Sequence, residues 1–177
     1  MIKQIPYGLT DFGRIQKENY YYVDKTMFIE KIEMQPSYLF LIRPRRFGKS
    51  LTLAMLEAYY DVRYADQFDE LFGHLYIGQH PTPIHNQFLI MRFNFSEVSS
   101  NINEVEESFR LHCCGKLSDF VYRYEHLLGK DIWNVLDEKT QADPGAFLSS
   151  INTYATRKGD LKILSLIHIS EPTRRSY

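Results

Sequence analysis

The chain has 177 residues, with 21 Lys and Arg against 22 Asp and Glu, for a formal net charge of −1. That balance excludes a global electrostatic drive toward nucleic acid or an anionic membrane, and no apolar run approaches the length of a membrane span. With 13 Tyr and 12 Phe, the chain carries enough apolar surface for one packed domain, which argues against disorder.

In chain order, residues 25–35 are expected to form a helix after Asp24, a suitable N-cap. Residues 38–42, Tyr-Leu-Phe-Leu-Ile, read as the first core strand. A basic loop, Arg43-Pro44-Arg45-Arg46-Phe47, runs into Gly48-Lys49-Ser50. Residues 50–60 follow as a helix with Leu51, Ala54, Met55 and Ala58 at core spacing. His80-Pro81-Thr82-Pro83 breaks the chain into a loop. Gln87 to Phe95 reads as a strand in which Phe88, Ile90, Arg92 and Asn94 oppose Leu89, Met91, Phe93 and Phe95. Ile102 to Leu128 carries a helical pattern through Val105, Phe109, Leu111, Leu117, Phe120, Val121 and Tyr124. Asp131–Leu136 and Pro144–Arg157 read as further helices, and Leu161-Lys162-Ile163 begins a third strand. Alternating strands and helices imply an α/β domain with a mostly parallel sheet, and two strands plus part of a third make that sheet incomplete.

Strand, loop, Gly-Lys-Ser and helix form the layout of a phosphate-binding P-loop. A helix N-terminus leaves backbone amides without partners and carries partial positive charge, and phosphate oxygens answer both. Gly48 lets the backbone approach closely. Lys49 is placed to reach the β- and γ-phosphates of a nucleotide, and the Ser50 hydroxyl to bind Mg²⁺. The match departs from the full pattern at one point: the position six before the Lys is Arg43, not Gly. The competing reading is a basic surface turn capped by Ser50.

The string RPRRFGKSL resembles the bacterial AAA-ATPase-like family, whose P-loop has this arginine-rich form. Ile5-Pro6-Tyr7-Gly8, Tyr22-Val23-Asp24-Lys25-Thr26 and Phe28-Ile29 resemble the family's lead-in. Asp66 to Ile77 is similar to the short segment after its P-loop helix, and Phe93-Asn94-Phe95-Ser96 to its second core strand. The resemblance spans roughly residues 5–160. It implies a truncated P-loop NTPase-like three-layer domain with ATP and Mg²⁺ as cofactors. It also implies nucleotide contacts from Arg45, Arg46, Phe47, Gly48, Lys49, Ser50 and Leu51, with Mg²⁺ on Ser50. In the family, an apolar strand closing in Asp-Glu follows, and then often a domain similar to PD-(D/E)XK nucleases.

Here the pattern departs again. Residues 164–177 read LSLIHISEPTRRSY, and LSLIHISEPTR resembles the in-frame translation of a sequencing adapter. The expected division is therefore an ATPase-like fragment at 1–163 and a non-native tail at 164–177. Without an acidic pair after the third strand, no catalytic residue is assigned. ATP hydrolysis is expected of the intact parent, and the alternative is a nucleotide-sensing or protein-interaction module without turnover that regulates an attached nuclease-like domain. Expected partners are the nucleotide and a protein partner or a second copy, with nucleic acid reached only through a further domain and no membrane.

Other residues read more plainly. Arg43, Arg45 and Arg46 suit phosphate contacts, but a solvated loop explains them equally well. Asp24 and Lys25 either place the lead-in near the nucleotide or, for Asp24, cap a helix. His112, Cys113 and Cys114 are successive on a helical pattern, point about 100° apart, and do not converge on one zinc. His74, His80, His85 and His126 lack ligand spacing. Trp133 reads as a core anchor. Two adjacent cysteines make no disulfide framework and Met1-Ile2-Lys3-Gln4 opens no signal peptide, so a reducing cytoplasm is the expected compartment.

Overall fold

The computed structural model describes residues 3–36, 38–42, 44, 47–99, 101–159 and 161–168. It divides into two compact units, residues 1–88 and 89–177.

In the first unit, α1 (Phe12–Lys17) starts where the Asp11 side chain accepts a hydrogen bond from the Arg14 amide at 3.0 Å, and it buries Phe12 and Ile15 on one face. α2 covers only Phe28–Glu33, shorter than the helix expected at 25–35. The reason is local. Asp24 accepts from both the amide (2.8 Å) and the hydroxyl (2.7 Å) of Thr26, a side-chain turn that competes with helix at that point.

The expected strand at 38–42 does not form. These residues have no regular secondary structure and are exposed. Apolar, β-favouring residues do not make a strand without a neighbour to pair with, and among the described residues of this unit none offers a ladder.

α3 (Lys49–Tyr60) buries Met55, Leu56, Ala58, Tyr59 and Tyr60, while Leu51 and Ala54 stay half-buried. Its C-terminal half therefore anchors it. A 3-10 helix (Val62–Gln67), α4 (Phe68–Phe72) and α5 (Tyr76–Gln79) follow. The core is aromatic: Phe72 lies 5.0 Å from Phe12 and 5.5 Å from Tyr59, ring centre to ring centre. Gly78 is required by close approach, because a Cβ there would sit 1.9 Å from the Phe72 carbonyl oxygen.

In the second unit, β1 (Phe88–Asn94), whose first residue closes the first unit, pairs with β2 (Lys162–His168). The two strands form a parallel sheet that does not close, so the protein is a mixed α/β chain with an incomplete sheet. Leu89, Ile90 and Met91 are buried in succession. Both faces of β1 are thus covered, as parallel strands require, and the simple two-face alternation read from sequence gives way. β2 draws most of its length from residues 164–168.

The helical pattern at 102–128 resolves into α6 (Val105–Arg123) and α7 (Glu125–Leu128), broken at Tyr124. α8 (Ile132–Val135), α9 (Glu138–Ala142) and α10 (Pro144–Gly159) complete the unit. α9 was not anticipated; its cap is Asp137, which accepts from the Thr140 amide at 2.7 Å. Proline at the first position of α10 costs no hydrogen bond. α6 packs on α10, and Leu117, Phe120 and Val121 on the one, Phe147, Ile151 and Ala155 on the other, are all buried. The N-terminal half of α6 leaves Val105, Phe109 and Leu111 exposed. Trp133 is half-buried, its indole N–H donating to Glu125 at 2.8 Å, and the buried anchors beside it are Ile132 and Leu136.

Candidate functional site

α3 opens with Gly48 at φ 76° and ψ 20°, in the left-handed region. A Cβ there would meet nothing within 4 Å, so glycine is favoured by conformation and not by space. The first intrahelical bond runs from the Thr52 amide to the Gly48 carbonyl at 2.8 Å, and the Thr52 hydroxyl donates to the same oxygen at 3.0 Å. The amides of residues 49–51 precede that bond, and the N-cap residue, Gly48, brings no side chain to them. A helix start of this kind presents donors and partial positive charge to an anion.

Lys49, Ser50 and Leu51 are half-buried, and Phe47 is exposed. Arg43, Arg45 and Arg46 lie outside the described residues. Mg²⁺ keeps most of its six oxygen positions for water and phosphate when bound with a nucleotide. One serine hydroxyl in the first turn of a helix opened by glycine fits that donor set.

The far end of α3 is as closed as its start is open. The Asn86 amide donates to the Tyr59 carbonyl at 2.9 Å, and its Nδ2 donates to Asp61 O at 2.8 Å and Ala58 O at 3.4 Å. Asn86 does this from φ 49°, a conformation that Asn tolerates better than most residues. Asp61 is fully buried, and Arg63 meets it with Nε at 2.9 Å and a terminal nitrogen at 2.6 Å. The Tyr60 hydroxyl donates to Glu33 at 2.9 Å, and Thr82 Oγ1 donates to the same carboxylate at 2.8 Å. Burial, then the Glu33 charge, pushes the Tyr60 phenol well above its usual range. Sequence reasoning missed Asn86, Asp61, Arg63 and Glu33; Asn86 and Glu33 act across 25 to 49 residues, and only the turn-forming character of Asn86 hints at them, whereas Arg63 lies two residues from Asp61 but the burial that makes the pair matter is not local.

Asp24 is a structural cap, though not of the helix that follows it. Its second carboxylate oxygen accepts from the Tyr76 amide at 2.8 Å, and Thr26 Oγ1 accepts from the Ile77 amide at 3.1 Å. The lead-in thereby holds the start of α5. Burial pushes the Asp24 carboxyl up, but bonds from Tyr76 and Thr26 outweigh it, so the group sits below its usual value.

In the second unit, polar groups gather at the carboxyl ends of the parallel strands, where α/β proteins commonly place ligands. Asn94 Nδ2 donates to Glu97 at 2.9 Å, Lys116 Nζ lies 3.3 Å from the same carboxylate, and His168 Nδ1 is 3.2 Å from Asn94 Oδ1. Asn94 and Lys116 hold the Glu97 carboxyl below its usual range. Among the described residues no group of three or more His, Cys, Asp and Glu is placed to hold a metal ion, and no helix is long and apolar enough to cross a membrane.

Residues 6–169 match the model of a family described as predicted AAA-ATPase. Over 55 residues the chain is 49% identical to an uncharacterized protein in the vnfD 5′ region of Azotobacter chroococcum mcd 1. That stretch is 30% of this chain and 11% of the relative, so the chain matches only about a tenth of the relative's length. No solved structure matches.

Proposed function

The chain belongs to the predicted AAA-ATPase family, and we propose that it binds ATP with Mg²⁺ at the start of α3 and that the longer protein hydrolyses it. The observation that carries this reading is the left-handed Gly48 opening a 12-residue helix directly after the basic loop, with Lys49 and Ser50 as the helix's first two residues. In this reading the amides of residues 49–51 receive phosphate oxygens, the Lys49 ammonium neutralises the β- and γ-phosphates, and the Ser50 hydroxyl is the protein's ligand to Mg²⁺. Mg²⁺ supplies charge neutralisation on the phosphates. Arg45, Arg46 and Phe47 flank the same loop and belong to the proposed site.

The test is calorimetric titration of the chain with Mg·ATP. Loss of the Lys49 charge removes a charge-assisted contact of about 1.5–3 kcal/mol, so Lys49→Ala should bind roughly 10–100-fold more weakly with unchanged far-UV circular dichroism. Equal affinity in wild type and variant would sink the proposal. Phosphate release by the longer protein then separates an ATPase from a nucleotide sensor.

We further propose that residues 164–177 are not native. Sequencing unfragmented source DNA through the codons for residues 160–177 tests it. An apolar strand ending in Asp-Glu supports it, and recovery of LSLIHISEPTRRSY refutes it.

A further inference from the structure

Thr52 bonds to the start of α3 twice. Its amide donates to the Gly48 carbonyl at 2.8 Å and its hydroxyl donates to the same oxygen at 3.0 Å, so both lone pairs of that carbonyl are engaged. A threonine bonding back four residues is ordinary inside a helix; in α10 the Thr156 hydroxyl donates to the Asn152 carbonyl at 2.9 Å. The difference lies in the peptide that is held. The Gly48 carbonyl and the Lys49 N–H belong to one planar trans peptide and point in opposite directions. The orientation of that plane turns on the ψ of Gly48, 20° here, and glycine restrains its own backbone less than any other residue. Packing adds little restraint, since among the described residues a Cβ on Gly48 would meet nothing within 4 Å. The two bonds from Thr52 set the plane from inside the helix.

We propose that Thr52 is a positioning residue for the nucleotide site. Its hydroxyl fixes the Gly48–Lys49 peptide, and through it the direction in which the Lys49 amide and side chain leave the start of α3. The inference rests on the reading of that start as the phosphate site. A peptide held in its binding orientation before the ligand arrives loses less freedom on binding, and the saving is read as affinity. Thr52→Ser keeps the hydroxyl. Thr52→Val keeps the branched shape and a similar helix propensity but leaves the Gly48 carbonyl with the backbone bond alone. Thr156 is the natural control, because it makes the same kind of bond in the middle of α10, in the unit of residues 89–177, where the proposed site takes no residue.

Calorimetric titration with Mg·ATP compares the full chain with Thr52→Val, Thr52→Ser and Thr156→Val, each checked for unchanged far-UV circular dichroism. Thr52→Val should bind roughly 3–10-fold more weakly, the worth of one neutral hydrogen bond, while Thr52→Ser and Thr156→Val bind as the wild type does. A second readout needs no ligand. The amide-nitrogen resonance of Lys49 senses hydrogen bonding at the Gly48 carbonyl, so it should move in Thr52→Val and hold its place in Thr52→Ser. Equal affinity in wild type and Thr52→Val, with Lys49→Ala still weakened, overturns the role of Thr52 and leaves the site standing. Equal weakening in Thr156→Val, or no recovery in Thr52→Ser, overturns it as well, since the loss would then follow helix stability and not the Gly48 carbonyl. A wild-type chain that does not bind Mg·ATP removes the site reading and this role with it.

Discussion

Gly48 and Asp24 show how single residues serve the candidate site in different ways. At Gly48 the constraint is φ alone, since a Cβ has open space. A non-glycine residue in that region costs about 1–2 kcal/mol, with Asn among the least penalised. Gly48→Ala should therefore lower the melting temperature and weaken Mg·ATP binding, with Gly48→Asn between Ala and wild type; a thermal melt paired with titration reads both. Asp24 makes a pH prediction. Its folded carboxyl lies below the usual 3.8, so the stability it contributes is present above that value and is lost as pH falls through the folded value. The melting-temperature gap between wild type and Asp24→Asn should be constant near neutrality and close below about pH 3.8. A gap that widens in acid would contradict the assigned bonds to Thr26 and Tyr76. The Asp24 side chain was legible as a cap, but its recipient, 52 residues away, was not.

At the scale of elements, α3 and the run before it teach opposite lessons about pattern. α3 was readable because a helix satisfies its own backbone, so the Gly-Lys-Ser start and the 3.6-residue spacing are local signals. Residues 38–42 carry an equally clear apolar signal, yet a strand's hydrogen bonds belong to its neighbour, and no local pattern states whether the neighbour is present. β1 was readable as a strand but not as one buried on both faces, because that depends on which helices cover it. The C-terminal cap of α3 is the clearest case of information that spacing does not hold: Asn86 closes carbonyls of residues 58, 59 and 61 from a distant turn. Replacing a capping side chain costs about 0.5–2 kcal/mol. Asn86→Ala loses Nδ2 donation and the tolerance for φ 49° together, so its stability loss in urea should reach about 2 kcal/mol. A loss within error of zero would mean that α3 does not depend on this cap.

At the scale of the whole molecule, the two compact units give nucleotide binding a spatial signature. A ligand that binds only the folded state stabilises it by about 2.7 kcal/mol at 100 times its dissociation constant. The proposed site lies in the unit of residues 1–88, whereas Trp133, the single tryptophan, lies in the unit of residues 89–177. Two probes can therefore be read in one sample. Amide exchange along α3 reports the first unit, and Trp133 fluorescence reports the second. Mg·ATP should slow exchange of the α3 amides by up to about 100-fold while moving the Trp133 unfolding midpoint much less. Lys49→Ala should abolish the first effect. If instead exchange along α3 does not change while Trp133 responds, the nucleotide binds in the second unit, and the strand ends around Asn94 and Glu97 become the place to look. If both probes move together by the full amount, the two units unfold as one cooperative body and the binding energy is shared across the chain.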